Sequence, residues 1–401
     1  MFTHIELEQA VRLMTEGQSP LGAELCPLNQ ALGRTLSMDV TASIDQPPFD
    51  RSPLDGYALR SADSVGADSE HPLALNVVDT VYAGDVAKVP VEPGQAVRIM
   101  TGAMLPEGCD CVLRQEDTDM GFPAVSIRRS LRPNENIVHR GTDYRMGATL
   151  LPSGTVLDAA ALGLLASAGI GEVSVRRRPH VCVLSTGDEV SDPRVHPLAP
   201  GKIYDANLTL LTARLAELGI LTVESQRAAD QSAAAAEAMG KLLERCDLLI
   251  TTGGVSVGDR DILHETLTLL GAERIFWRVK MKPGTPAIFA RYGGKPILCL
   301  SGNPFAAAAT FEVLARPLLA ALAGEPHLLP QRTKAVLDTP FPKASLGRRF
   351  VRGRFEAGRV TLPGEHSSGA LSSLVGCNCL ADIPAGSGPL EQGKTVDILL
   401  L

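Results

Sequence analysis

From His180 onward the chain alternates two hydrophobic periods. Apolar runs of strand length end in polar loops, and each loop leads into a segment with helical spacing. HVCVLSTGDEV gives way to LTLLTARLAELG, which stops at Gly219. The Ala-rich SAAAAEAMGKLLERC gives way to DLLITTGG and then to ILHETLTLLGA. PAIFARYGGKPILCLSGNP reads as a hairpin or strand pair, and FAAAATFEVLARPLLAAL closes the series as a long helix. Such alternation predicts a mostly parallel sheet covered by helices, with ligands bound beyond the carboxyl ends of its strands.

The rest of the chain has a different texture. LEQAVRLM near the start carries helical spacing, and DAAALGLLASAG (158–169) returns to it. Between them, short alternating runs such as LALNVVDTVYA, QAVRIMTGA and AVSIRRSL are split by Gly, Pro and Asp. The expectation is a β-rich module, 46–144, inserted into a helical linking domain made of 1–45 and 145–177, since insertion is tolerated where termini lie close. RRRP (176–179) punctuates the next boundary, so the α/β domain is expected over 178–327. The tail, 328–401, alternates again (RRFVRGRF, RVTLP, KTVDILL) and is expected to form a small β-barrel or sandwich. The fold class is α/β multidomain.

Composition narrows the function. A chain of 401 residues exceeds one ordinary domain. A net charge of −7 argues against general affinity for nucleic acid, which needs a basic face. No stretch reaches the eighteen or so uninterrupted apolar residues of a membrane span. MFTHIELEQAVRLM carries acids and resembles neither a secretory nor a transit signal. The eight cysteines include two C-x-C pairs, Cys109/Cys111 and Cys377/Cys379, but no zinc-finger spacing. They read as buried thiols of a cytoplasmic protein.

Three loops follow strands of the α/β region. STGDE (185–189) carries Asp188 and Glu189, and TTGGVSVGDRD (251–261) carries Asp259 and Asp261. LSGNP (300–304) places Pro304 at the first helical position behind Asn303, a good N-cap, with Gly302 allowing close approach. Glycines here suit an anion, because bare backbone N–H groups close around phosphate oxygens. Aspartates repel one. Two carboxylates about 4 Å apart repel by roughly 4 kcal/mol at an effective dielectric near 20. Several acids stay ionised in one crevice only beside a cation, or their pKa values rise. With the basic run RVKMKPGTP (278–286), the pattern suits a polyanion bound with a divalent cation, and oxygen-only ligands favour Mg²⁺. Neither G-x-G-x-x-G nor a P-loop is present.

Further motifs lie in the inserted module and the tail. SPLDGYALR contains Asp55, RIMTGAMLPEGCD contains Thr101, and HRGTDYRMG contains Asp143. SSGALSSL and RRFVRG offer hydroxyls and guanidinium groups. Taken in order with STGDEV, IYDANLTLL, TTGGVSVGDRD, VKMKPGTP and LSGNP, these segments resemble the MoeA/gephyrin-type molybdenum insertases, essentially from end to end.

That resemblance implies a four-part homodimer in which the linking domain also dimerises. It implies a transferase, a molybdopterin molybdenumtransferase: adenylylated molybdopterin and molybdate react, AMP leaves, and molybdenum stays on the dithiolene. Mg²⁺ is the implied cofactor, with Glu189, Asp259 and Asp261 as its ligands. Asp55, Thr101, Glu189, Asp230 and Asp261 match the family's catalytic positions. Asp143, Gly253, Gly254, Ser256, Arg278, Lys282, Gly302, Asn303, Pro304, Arg352 and Ser368 are the expected binding residues. Asp55 and Thr101 are expected to reach in from the inserted module of the other subunit. Three departures stand out: Ser301 replaces a proline, Thr285 a lysine and Val138 an arginine. Tungstate in place of molybdate, or a molybdopterin carrier or sensor without turnover, remain alternatives. Direct contact with the molybdopterin adenylyltransferase or with apo-molybdoenzymes is left open, as is the choice between Arg349 and Arg352 as the contact residue.

Overall fold

The computed structural model describes residues 1–255, 262–364 and 367–401. They divide into two units, 1–24 with 176–401, and 25–175.

In the first unit seven strands form one sheet: β1 (Phe2–Ile5), β2 (Val181–Thr186), β3 (Thr222–Ala228), β4 (Leu248–Thr252), β5 (Glu273–Val279), β6 (Ile288–Tyr292) and β7 (Lys295–Leu300). Their order is β1-β5-β6-β7-β4-β2-β3. Only β6 runs against its neighbours, because the Gly293–Gly294 turn folds it back as a hairpin on β7. Both glycines hold positive φ (57° and 83°), which a tight hairpin turn demands. Crossover helices α2 (Ala206–Glu217), α3 (Ser232–Arg245) and α4 (Leu263–Leu270) connect the parallel strands.

Val183, Ile250, Phe276, Phe289 and Leu298 have no exposed surface and anchor the core between sheet and helices. Each such side chain contributes about 1.5–3 kcal/mol on burial. The long segment Pro304–Ala323 is apolar enough to cross a membrane by composition, yet most of it is buried here. It is a core helix.

The sequence pattern places residues 1–45 with 145–177; in the structure 1–24 pack with the α/β sheet instead. The cause is edge pairing. β1 lies parallel to β5, Thr3 against Trp277, and the following helix α1 (Leu7–Thr15) buries Leu7, Ala10 and Met14 in the same core.

The C-terminal region closes on itself. Strand Arg348–Glu356 pairs on one side with Arg359–Thr361 and on the other with Cys379–Ile383, completing a barrel-like sheet. Just after β5, the short strand Met281–Lys282 pairs with Arg348 and Arg349, so the barrel is laced to the segment that leaves the α/β sheet.

The second unit carries a five-stranded sheet ordered Cys111–Arg114, Gly56–Leu59, Gln95–Ile99, Leu73–Val81 and Ala124–Ile127. Its helix Ala159–Ser167 starts at Asp158, whose carboxylate accepts the Ala161 N–H at 2.8 Å. All eight cysteines are thiols rather than disulfides, and six of them are buried.

Candidate ligand cleft and adjoining basic hollow

β2, β4 and β7 are neighbours in register. Ser185 pairs with Thr252, and Thr252 with Leu300, so all three loops leave the sheet at one level. Glycine lets them touch. A Cβ on Gly253 (φ 93°) would stand 2.1 Å from the Thr186 carbonyl oxygen, and one on Gly302 would stand 3.4 Å from the Gly253 Cα. A hydrogen-bond chain joins the loops to α2. Asn207 Nδ2 donates to Thr252 Oγ1 (2.8 Å) and to the Gly302 carbonyl (2.7 Å). Thr252 Oγ1 in turn donates to the Ser301 carbonyl at 3.0 Å.

The loops enclose a cleft of about 710 Å³. Of the expected site residues, Gly253, Gly254, Gly302, Asn303, Pro304, Ser368 and Glu189 line it. So do Thr285 and Ser301, two of the departures from the family pattern. No lysine or arginine lines it among the described residues, and its two acids are Glu189 and Asp205. The bases stand next door. A hollow of about 220 Å³ is lined by Lys282, Arg349 and Arg352, with Phe305, Phe341 and Phe350 around them. Pro283 and Ser368 belong to both walls. Among the described residues, cationic and anionic groups are thus sorted into two adjoining compartments.

The two arginines differ in setting. Arg352 is fully buried, lies 4.1 Å over the Phe305 ring and donates to the Ser367 carbonyl at 2.8 Å. Arg349 is half-buried, with its guanidinium 5.7 Å from the Phe341 ring.

Several expected contacts lie elsewhere. Asp230 is absent from the cleft lining; it exchanges hydrogen bonds with Asp188, accepting its N–H at 3.3 Å and donating its own at 3.0 Å. Asp230 therefore braces the STGDE loop. Arg278 lines neither compartment: its guanidinium stacks 4.0 Å over Trp277 and lies 3.1 Å from His4 Nε2. The positive φ of Arg278 (66°) turns it onto that ring instead. Asn303 occupies the cap position, but its side chain makes no capping bond among the described residues. The Ser368 carbonyl takes the Phe305 N–H at 3.0 Å and performs part of that work. Ser256, Asp259 and Asp261 lie outside the described residues.

Asp55, Thr101 and Asp143 belong to the second unit. Asp55 Oδ1 accepts the N–H and the hydroxyl of Thr101. These bonds, the backbone one first, hold the Asp55 carboxyl below its ordinary range. The Asp143 side chain is exposed, and its N–H donates to the Gln46 carbonyl at 2.9 Å. Val138 pairs with Arg51 through an isolated bridge.

Asp205, Asn207, Thr186 and Thr252 also line the cleft, and sequence reasoning gave them no role. For Asp205 and Asn207 the signal was the segment IYDANLTLL, in which an aspartate before a helix reads first as a cap.

A glycine-lined cleft beyond the carboxyl ends of a parallel sheet, with a barrel laced beside it, defines a multidomain protein whose α/β part offers a pocket of the size and lining for a small polar ligand. Family models agree. Residues 5–169 match the MoeA N-terminal region, 182–321 a probable molybdopterin binding domain, and 334–401 the MoeA C-terminal region. The molybdopterin molybdenumtransferase of Staphylococcus aureus is 36% identical over 400 residues, covering 99% of this chain and 95% of that protein. Its Bacillus subtilis counterpart is 36% identical over 412 residues, covering 100% and 94%. The MoeA structure from Pyrococcus horikosii superposes with a TM-score of 0.86 at 30% identity, covering 99% of each chain. The chain belongs to the MoeA family and is a transferase of molybdenum cofactor biosynthesis.

Proposed function

We propose that this transferase accepts adenylylated molybdopterin and molybdate, leaves molybdenum on the dithiolene and releases AMP. The sorting of charge into two adjoining compartments carries the reading. A tetrahedral dianion suits the hollow of Lys282, Arg349 and Arg352, where guanidinium and ammonium donors converge. The glycine-lined cleft suits the pterin and its phosphate, with the Gly253–Gly254 backbone facing the phosphate oxygens. Ser368, common to both walls, stands where the two substrates meet.

The chemistry asks little covalent work of the protein. Water cleaves the phosphoanhydride, AMP carries away one phosphate, and dithiolene sulfurs replace oxygen ligands that depart as water once protonated. Residues of this chain hold the two anions together and handle protons. Asp55, kept ionised by Thr101, and Glu189 are the proposed proton handlers. For Mg²⁺ the described residues supply one expected carboxylate, Glu189. No group of three His, Cys, Asp or Glu converges among them, so they do not by themselves make a magnesium site, and no step is routed through one.

A homodimer is part of the proposal. Helix Ala159–Ser167 is apolar on every side yet leaves Ala159, Ala160, Gly163 and Ala166 exposed, which fits burial against a second copy.

The test is direct. Purified protein receives adenylylated molybdopterin with molybdate or tungstate, and AMP is quantified by chromatography. Molybdate-dependent AMP release is expected. AMP release equal with both oxyanions would remove the molybdate preference, and none with either would refute the reaction.

A further inference from the structure

We infer that Asp205 and Asn207 form a hydrogen-bond acceptor pair that selects the ligand's pyrimidinone ring by its N–H donor edge. This rests on the reading that the cleft holds a pterin.

Both residues line the cleft while almost withdrawn from solvent, at 3% and 8% exposure. Each is pinned by one half of its polar group. Asp205 caps α2, its Oδ1 accepting the Leu208 N–H at 2.9 Å. The Thr252 hydroxyl spends its proton on the Ser301 carbonyl, so it can only accept from Asn207, and the Gly302 carbonyl can only accept too. Asn207 must therefore present its NH₂ to both, which fixes the amide orientation. That leaves Asp205 Oδ2 and Asn207 Oδ1, and neither finds a hydrogen-bond donor among the described residues.

Buried acceptors without donors are costly, and natural sites fill them with ligand or water. A cation is the rival occupant. Only one carboxylate oxygen is available in this pair, and no cluster of three acids or other metal-binding side chains surrounds it among the described residues. The wall also lacks any lysine or arginine among the described residues. What fits acceptors in such a wall is a neutral donor edge. A pterin offers one in its 2-amino group and adjacent ring N–H. A lumazine, with an oxo group at position 2, offers an acceptor there and is repelled.

The experiment uses the full chain in EDTA with two probes, 6-hydroxymethylpterin phosphate and its 2-oxo lumazine counterpart, titrated by their own fluorescence. Wild type is expected to favour the pterin by about tenfold or more, the value of one hydrogen bond to a charged group. Asp205→Asn keeps an N-cap of equal strength, so folding is preserved, but puts NH₂ where Oδ2 stood. It is expected to erase the preference and to raise lumazine affinity. Asp205→Ser also caps, and is expected to erase the preference without gaining lumazine. If both variants discriminate as wild type does, the pair has no such role, although the cleft reading stands. Binding of neither probe by wild type would overturn both. Binding that appears only with added magnesium and vanishes in Asp205→Asn would replace the donor edge with a metal.

Discussion

Asp55 receives two hydrogen bonds from one residue: the N–H and the hydroxyl of Thr101 both reach Oδ1, each at 2.7 Å. The motifs that carry these residues meet because Gly56–Leu59 and Gln95–Ile99 are paired strands, with Gly56 opposite Ile99. Thr101→Val keeps the backbone bond and removes the hydroxyl. The Asp55 carboxyl should then titrate at higher pH than in wild type, as followed by carbon NMR of the labelled side chain. Its folded pKa is depressed, so the contact is present above the ordinary aspartate range and lost as pH falls through the lowered value. Asp55→Asn should slow AMP release by about 10²-fold or more with the fold intact, if the carboxylate handles a proton.

Gly253→Ala should be poorly tolerated. The new Cβ would sit 2.1 Å from the Thr186 carbonyl at a φ of 93°, so the loop must move. Strain of this kind costs about 1–3 kcal/mol. Thermal unfolding should show a lowered midpoint, and pterin phosphate binding should weaken as well. An unchanged midpoint would mean that the loops do not meet as described.

Lys282, Arg349 and Arg352 should separate in their effects. Lys282→Ala and Arg349→Ala should raise the molybdate concentration needed for half-maximal AMP release, more at low salt than at high, with little change in stability. Arg352→Ala should destabilise by roughly 2 kcal/mol, because the buried guanidinium leaves both the Phe305 ring and the Ser367 carbonyl. Arg352→Lys should restore only part of this, since an ammonium does not reproduce the planar stack.

Asp382 offers a pH test of the barrel. Burial pushes its carboxyl up, but Arg348 and Arg332, which donate to it at 2.6–2.9 Å, outweigh that and leave its pKa below the ordinary value. The stabilisation is present above the ordinary carboxylate range and should disappear as pH falls through the depressed folded value. Asp382→Asn should flatten the acid limb of stability against pH in urea titrations.

Gly163→Arg tests the dimer. The residue lies in an exposed stretch of the apolar helix with open space around its Cα, so the monomer fold should tolerate arginine. Sedimentation should show a shift towards monomer. A species unchanged in size would exclude this face as the contact.

The convergence of three strand-end loops was legible because β2, β4 and β7 carry plain apolar runs followed by glycine, and parallel strands put those glycines at one edge. The hairpin of β6 and β7 was visible in Gly293–Gly294. β1 was not, since FTHI is mostly exposed and shows no pattern pointing to Glu273–Val279 far along the chain. The family resemblance made Arg278 an expected ligand contact. Its actual partner, Trp277, lies beside it in sequence, but stacking depends on a backbone turn that spacing does not reveal. Asp205 was overlooked for the opposite reason: its evident duty as a cap concealed the second oxygen.

The short strand Met281–Lys282 is shared property, leaving β5 on one side and hydrogen-bonded into the barrel on the other. A hinge at that junction would have to tear its ladder each time it opened. While that ladder holds, the compartment of bases and the compartment of acids move together.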